Sequence, residues 1–323
     1  MFSKVLFFEI NPDAAQTFFS GSYWQSKIKQ FRFVPMRSMP KEVGAMMEKS
    51  EGFGVAYPEL NSTELVYEGA DFVLLNYSIE VRKVPVKNLK RRVREMTAEL
   101  KSKLGLETLD KEQKKEVNEN AYKFELARTP ETLSEYFILI NKRGRWMAID
   151  ATTQKSLDKC ITMLRSAFGT LPVTQLQVLD AREAFTEWVS NKAVPEDIYL
   201  GHDCKLDSLS DGALASYRKQ ELDCTEIHTN INNEKQVCEI GVNLKVESSG
   251  SEVLFPLVID ANLIVSSLKW KIDSEDLASE DIKSVAEGKM IYKNVSLNNV
   301  FNFVKASLVE RHKGGSNEFM PTA

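Results

Sequence analysis

The chain has 323 residues, 43% of them hydrophobic and 27% charged, with 42 Lys and Arg against 46 Asp and Glu for a formal charge of −4. That is the composition of an ordinary soluble globular protein; it excludes a fibrous or disordered chain, and the length argues for two or three domains. The first apolar run is broken by Glu9 and Pro12, too early for a signal peptide, no later stretch reaches the length of a membrane span, and the four cysteines lack CxxC spacing, so free thiols in a reducing cytoplasm are expected.

VLFFEI and QFRFVPM predict strands flanking a helical segment around Ala14 to Lys29, and FVLLNYSIEV predicts another strand. From Pro85 the period becomes helical, with Leu89, Val93, Met96, Leu100 and Leu104 on one face and Gly105 as a stop. Thr108, Asp110 and Glu112 start a second helix that runs to about Phe124 on a thin stripe of Val117, Ala121 and Phe124. YFILIN, KRGR and WMAID form a strand hairpin, followed by a helix over TTQKSLDKCITMLRSAFG. A strand, LPVTQLQV, precedes the helix AREAFTEWVSNK and a Gly- and Asp-rich connection around 201–212. KQVCEIGVNLKV, VLFPLVI and NLIVSSLKWKI read as strands. SEDIKSVAEG and a C-terminal helix carrying Leu297, Val300, Phe301, Val304 and Leu308 on one face close the fold, and KGGSNEFMPTA reads as a disordered tail. This order of elements predicts an α+β fold, not a doubly wound sheet.

Segment 81–128, a helical hairpin standing out from the body, holds 14 basic and 8 acidic residues, a balance of +6 that leaves −10 for the rest. At about 100° per residue, Lys87, Lys90, Arg91, Arg94 and Lys101 fall on one flank of its first helix, and Glu95 and Glu99 on the other. A one-sided basic ridge on an acidic body suits phosphate binding, where lysine and arginine displace counterions. The bland alternative is a solvated arm with incidental charge.

MLRSAFGTLPVTQLQ followed by FTEWV is very similar to the corresponding stretch of the RdgC family, bacterial recombination-associated proteins. FGVAYPE, PVKNLK, RKQELDCTEI, LKWKI and SEDIKSVAEGKMI follow in the family's order. The resemblance implies an α+β subunit with a central domain (1–80 plus 129–178), a helical finger (81–128) and a C-terminal base domain (179–323). It further implies a ring-shaped homodimer around duplex DNA, sequence-independent binding, and restraint of a RecA-type recombinase. Lys219 and Gln220 match a Lys-Gln pair that faces DNA in the family, and Arg218 adds a charge beside them. Lys87 matches a lysine after a Pro-Val pair; Lys90, Arg91, Arg94, Lys101 and Lys103 match in type and region. A few extra residues around 122–130 leave Phe124 as a candidate for the family's finger-contact aromatic.

The remaining constellations are weaker. Tyr23 and Trp24 beside Lys27, Lys29 and Arg32 resemble aromatic–basic interleaving for single strands, although core packing is the commoner role of such aromatics. GHDC at 201–204 is a poor nucleophile pair without an orienting third group. Asp150, Asp203, Asp207, Asp211 and Asp260 are dispersed and form no metal-ligand motif, and no P-loop or GxGxxG occurs. The expectation is therefore a cytoplasmic, nucleoid-associated, non-enzymatic protein with no catalytic residues, metal or cofactor. Its partners would be double-stranded DNA, with single-stranded DNA in second place, and its own second copy; no membrane is involved. A metal-dependent exonuclease is the alternative, and a protein–protein adaptor the third reading.

Overall fold

A computed structural model describes residues 1–18, 23–60, 62–178, 181–248, 251–270 and 281–310. The N-terminal part runs β1 (Lys4–Ile10), α1 (Pro12–Phe18), α2 (Tyr23–Gln30), α3 (Lys41–Met46), β2 (Lys49–Phe53), β3 (Val66–Glu68) and β4 (Phe72–Val81). The hairpin α4 (Val86–Leu104) and α5 (Lys111–Arg128) follows, then β5 (Thr132–Asn141), β6 (Trp146–Asp150), α6 (Gln154–Phe168), β7 (Val173–Gln175) and α7 (Arg182–Ser190). The chain continues through β8 (Ile198–Ser208), β9 (Leu214–Tyr217), α8 (Thr225–Asn232), β10 (Lys235–Ser248), β11 (Ser251–Asp260), β12 (Val265–Ser266) and α9 (Ile282–Val304).

The strands join in one antiparallel sheet of order β2-β4-β5-β6-β1-β12-β11-β10-β8-β9, with β3 on β4 and β7 on β1. Short pairings of β12 with β1 and β11 (Val5↔Val265, Ile259↔Val265) link the N-terminal to the C-terminal strands. In the N-terminal half both faces are buried, so its strands read as continuous apolar runs. On β1, Leu6, Phe8 and Ile10 face one core with α1, α2 and α6, while Val5 and Phe7 face the other with α9. In the C-terminal half one face is covered: Cys204, Leu206, Val237, Ile240, Val242, Phe255 and Leu257 all join the core shared with α7 and α9. Among the described residues no helix covers the opposite face of these strands.

Several sequence expectations are corrected. QFRFVPM is no strand; Arg32 makes an isolated bridge to Phe53, and the chain turns away at Pro35. The Gly- and Asp-rich stretch at 201–212 is largely β8, whose partner β10 absorbs the mismatch through register shifts near Glu239 and Val242. LPVTQLQV contributes only Val173–Gln175, and the described part of NLIVSSLKWKI only Val265–Ser266. From Ile282, SEDIKSVAEG continues unbroken into the C-terminal helix as α9. The tail reading at 313–323 lies outside the described residues.

Candidate nucleic-acid interface

β4 and β5 pair along their full lengths, from Phe72↔Asn141 to Val81↔Thr132, and the helical hairpin is the connection between them. The finger thus grows from the end of a central two-stranded ribbon. Gly105, at φ 65°, caps α4 in the left-handed conformation. Of the start signals Thr108, Asp110 and Glu112, Asp110 is the cap of α5: it accepts from the Gln113 amide at 2.8 Å while Gln113 reaches back to the Asp110 amide at 3.0 Å. This reciprocal cap was readable as D-x-x-Q.

Packing within the finger is lean. α4 has no buried residue, whereas α5 buries Val117, Ala121, Glu125 and Leu126. At the tip Leu109 is buried, while Leu104 and Leu106 remain exposed. Arg92 binds Glu125 at 3.1 Å and Glu95 at 2.8 Å, tying α4 to α5. Phe124 is neither free nor core: the guanidinium carbons of Arg92 and Arg128 lie 4.1 and 4.4 Å from its ring centroid. At the root, Tyr122 donates to Glu48 at 2.7 Å, and Glu131 meets Arg37 at 3.0 Å and Arg82 at 3.6 Å. A backbone N–H bond and the two arginines hold the Glu131 carboxyl below its ordinary range, burial opposing them.

Against this braced interior stands the ridge. Lys87, Lys90, Arg91 and Arg94 are exposed and Lys101 half-buried. Lys87, Arg94 and Lys101 recur every seven residues, about 10.5 Å along the helix axis, so they stay nearly aligned. Arg91 approaches Glu95 at 3.8 Å, a solvent-exposed pair of little energy. Among the described residues no acidic group lies within ion-pair distance of Lys87, Lys90, Arg94 or Lys101. These cations keep their charge available for an external anion.

The second predicted cluster occupies the loop between β9 and α8. Lys219 is held at φ 56°, a left-handed conformation that costs a residue with a Cβ on the order of 1 kcal/mol or more. Its amide donates to Asp203 Oδ1 at 3.0 Å, and the Gln220 amide donates to the His202 carbonyl at 3.0 Å. Arg218 and Lys219 are exposed; Gln220 is half-buried and its amide nitrogen reaches Cys224 Sγ at 3.1 Å and Glu226 at 3.3 Å. Arg218 and Lys219 therefore face outward, and Gln220 turns to α8.

Arg218 and Lys219 line an open groove of about 720 Å³ on the uncovered sheet face, with Asp203, Glu239, Asn243 and Lys269. Its floor is bare backbone where Gly201 crosses Gly241: a Cβ at 201 would lie 2.9 Å from the Gly241 carbonyl. Lys269 was invisible to sequence reasoning because NLIVSSLKWKI read as a strand of the sheet.

The weaker constellations resolve into structural roles. Trp24 is buried edge-on between Phe18 (4.6 Å) and Phe168 (4.9 Å), away from any base-stacking position. Burial pushes the Cys204 thiol up to about 12, so it holds its proton and is a poor nucleophile. Asp150 accepts the amides of Ser3 and Lys4 (3.2 and 3.3 Å), Asp207 pairs with Arg182 at 3.1 Å, and Asp260 accepts the Asn262 and Ile264 amides at 2.9 Å each. Among the described residues no three His, Cys, Asp or Glu side chains are grouped to hold a metal, and no helix is long and apolar enough to cross a membrane.

Fold and surface together define an α+β protein built on one large antiparallel sheet, with a cationic helical hairpin inserted between two central strands. A family model described as "Putative exonuclease, RdgC" matches residues 1–255, and the chain belongs to the RdgC family. Relatives named recombination-associated protein RdgC include that of Pseudomonas fluorescens, 24% identical over 241 residues, 74% of this chain and 76% of the relative. The protein of Tolumonas auensis is 27% identical over 221 residues, covering 67% and 71%.

Proposed function

We propose that this protein binds duplex DNA without regard to sequence, closes around it as a ring-shaped homodimer, and modulates RecA-type homologous recombination on the bacterial nucleoid. The observation that carries the reading is the row of cations on α4, of which Lys87, Lys90, Arg94 and Lys101 have no ion-pair partner among the described residues, in a chain that is acidic overall. Phosphate contacts position a duplex without reading its bases, so low specificity follows from the chemistry. The second cluster, Arg218 and Lys219, would grip the duplex from another part of the subunit. Family membership and the relatives' names support a place in recombination. Two-fold closure would pair the finger of one subunit with the same patch of the other. The protein would act by binding, without hydrolysis. A second reading, a metal-dependent exonuclease, rests on the description of the family model.

Mobility shifts of unrelated duplexes at rising salt test the reading. All should bind alike, with log K falling linearly in log salt by about 0.9 per phosphate contact. End-labelled duplex should stay intact with Mg²⁺; shortening would favour the exonuclease. Leu106→Cys, in a background lacking the native cysteines, should crosslink two subunits, trapping DNA circles while linear fragments slide free. Equal release from both would rule out encirclement.

A further inference from the structure

We infer that Asp203 is a positioning residue that presents Lys219 to a DNA phosphate, and that Lys269 completes the cationic lining of the same groove. The inference rests on the reading of the chain as a duplex-DNA binder and extends it to two residues that the sequence did not assign.

A carboxylate is out of place in an anion-binding groove, since it repels what the neighbouring cations attract. Asp203 nevertheless sits there, on β8 beside the bare floor at Gly241, whose added Cβ would lie 3.2 Å from the Asp203 carbonyl. Its side chain makes a specific bond: Oδ1 accepts the backbone amide of Lys219 at 3.0 Å. That bond, with the one from the Gln220 amide to the His202 carbonyl, clamps the loop to β8 and holds Lys219 at φ 56°. A lysine left to itself prefers the right-handed or extended regions, which would re-aim its side chain. The Asp203 carboxylate therefore trades a local repulsion for a defined direction of the Lys219 ammonium.

The other acid of the groove, Glu239, is engaged by Lys205 at 2.7 Å. Arg218, Lys219 and Lys269 are exposed, and among the described residues none has an ion-pair partner. Ser267, two residues before Lys269, is also left-handed at φ 58° and lines the groove, turning the chain after β12 so that Lys269 reaches the rim. Three cations without an ion-pair partner among the described residues thus converge on this sheet face from two separate loops. A duplex phosphate backbone is the ligand whose charge and exposure match this groove.

The test uses the full chain and fluorescence anisotropy of a labelled duplex across a salt series. Asp203→Ala should weaken binding about three- to ten-fold although it removes a negative charge, and Asp203→Asn, which keeps an acceptor oxygen, should bind at least as tightly as the parent. In a Lys219→Ala background, Asp203→Ala should add nothing, because it acts through Lys219. Lys269→Ala should flatten the salt slope by up to about 0.9. Tighter or unchanged binding by Asp203→Ala, or an additive loss with Lys219→Ala, overturns the positioning role. If Asp203→Ala does not fold, weaker binding by Asp203→Asn overturns it instead. An unaltered slope for Lys269→Ala removes that residue from the lining. These failures leave parental, salt-dependent binding intact; its absence sinks the DNA-binding reading and this inference with it.

Discussion

The finger and the sheet groove present positive charge by opposite means. On α4 the cations stand on a regular helix that has no fully buried residue and is tied to α5 by Arg92 and Glu125. In the groove, Lys219 stands on strained backbone that neighbouring strands hold in place. Helical periodicity produces a long, even row of charge cheaply, whereas a loop produces a few charges at defined angles only when tertiary contacts offset the strain. A row suits gripping a polyanion along its length; a fixed point suits setting its register.

The sharpest way to break this contrast is to strip the row. Replacing Lys90, Arg91, Arg94 and Lys101 with Ala should weaken duplex binding on the order of 100-fold and flatten the salt slope by up to about 3.6, at nearly constant melting temperature. Unchanged affinity and slope would make the finger a solvated arm.

Arg92, within the same basic run, should behave in the reverse way. Its side chain is 20% exposed and its partner Glu125 8%, so Arg92→Ala leaves a buried carboxylate without this partner and removes one of the two guanidinium groups over Phe124. A loss of about 2 kcal/mol in stability is expected, with the salt slope unchanged. A slope change equal to that of Arg94→Ala would show that Arg92 also meets phosphate.

The smallest effect concerns the finger root. The folded-state pKa of Glu131 is depressed, so its contribution is present above the ordinary carboxylate range and is lost as pH falls through the lower folded value. Hydrogen exchange of finger amides should therefore quicken modestly in acid, and Glu131→Gln should remove that pH dependence. Acid sensitivity that persists in the variant would assign it to other carboxylates.

Sequence alone determined the helical hairpin, its boundaries to within a few residues, and the flank on which Lys87, Lys90, Arg91, Arg94 and Lys101 lie, because helix period and capping are local properties. The family motifs likewise sit in contiguous segments such as LRSAFGTLPV and FTEWV. Tertiary structure alone decided that GHDC lies on a strand, that Trp24 is core, and that Arg92 braces the hairpin while Lys90 and Arg94 have no ion-pair partner among the described residues. It also decided which face of the C-terminal strands the described helices cover, and it joined the two halves of the sheet through pairings such as Val5 with Val265, far apart in the chain. The outward direction of Lys219 belongs to this second kind: it depends on an acceptor sixteen residues away across a strand pair, and no local pattern encodes that bond.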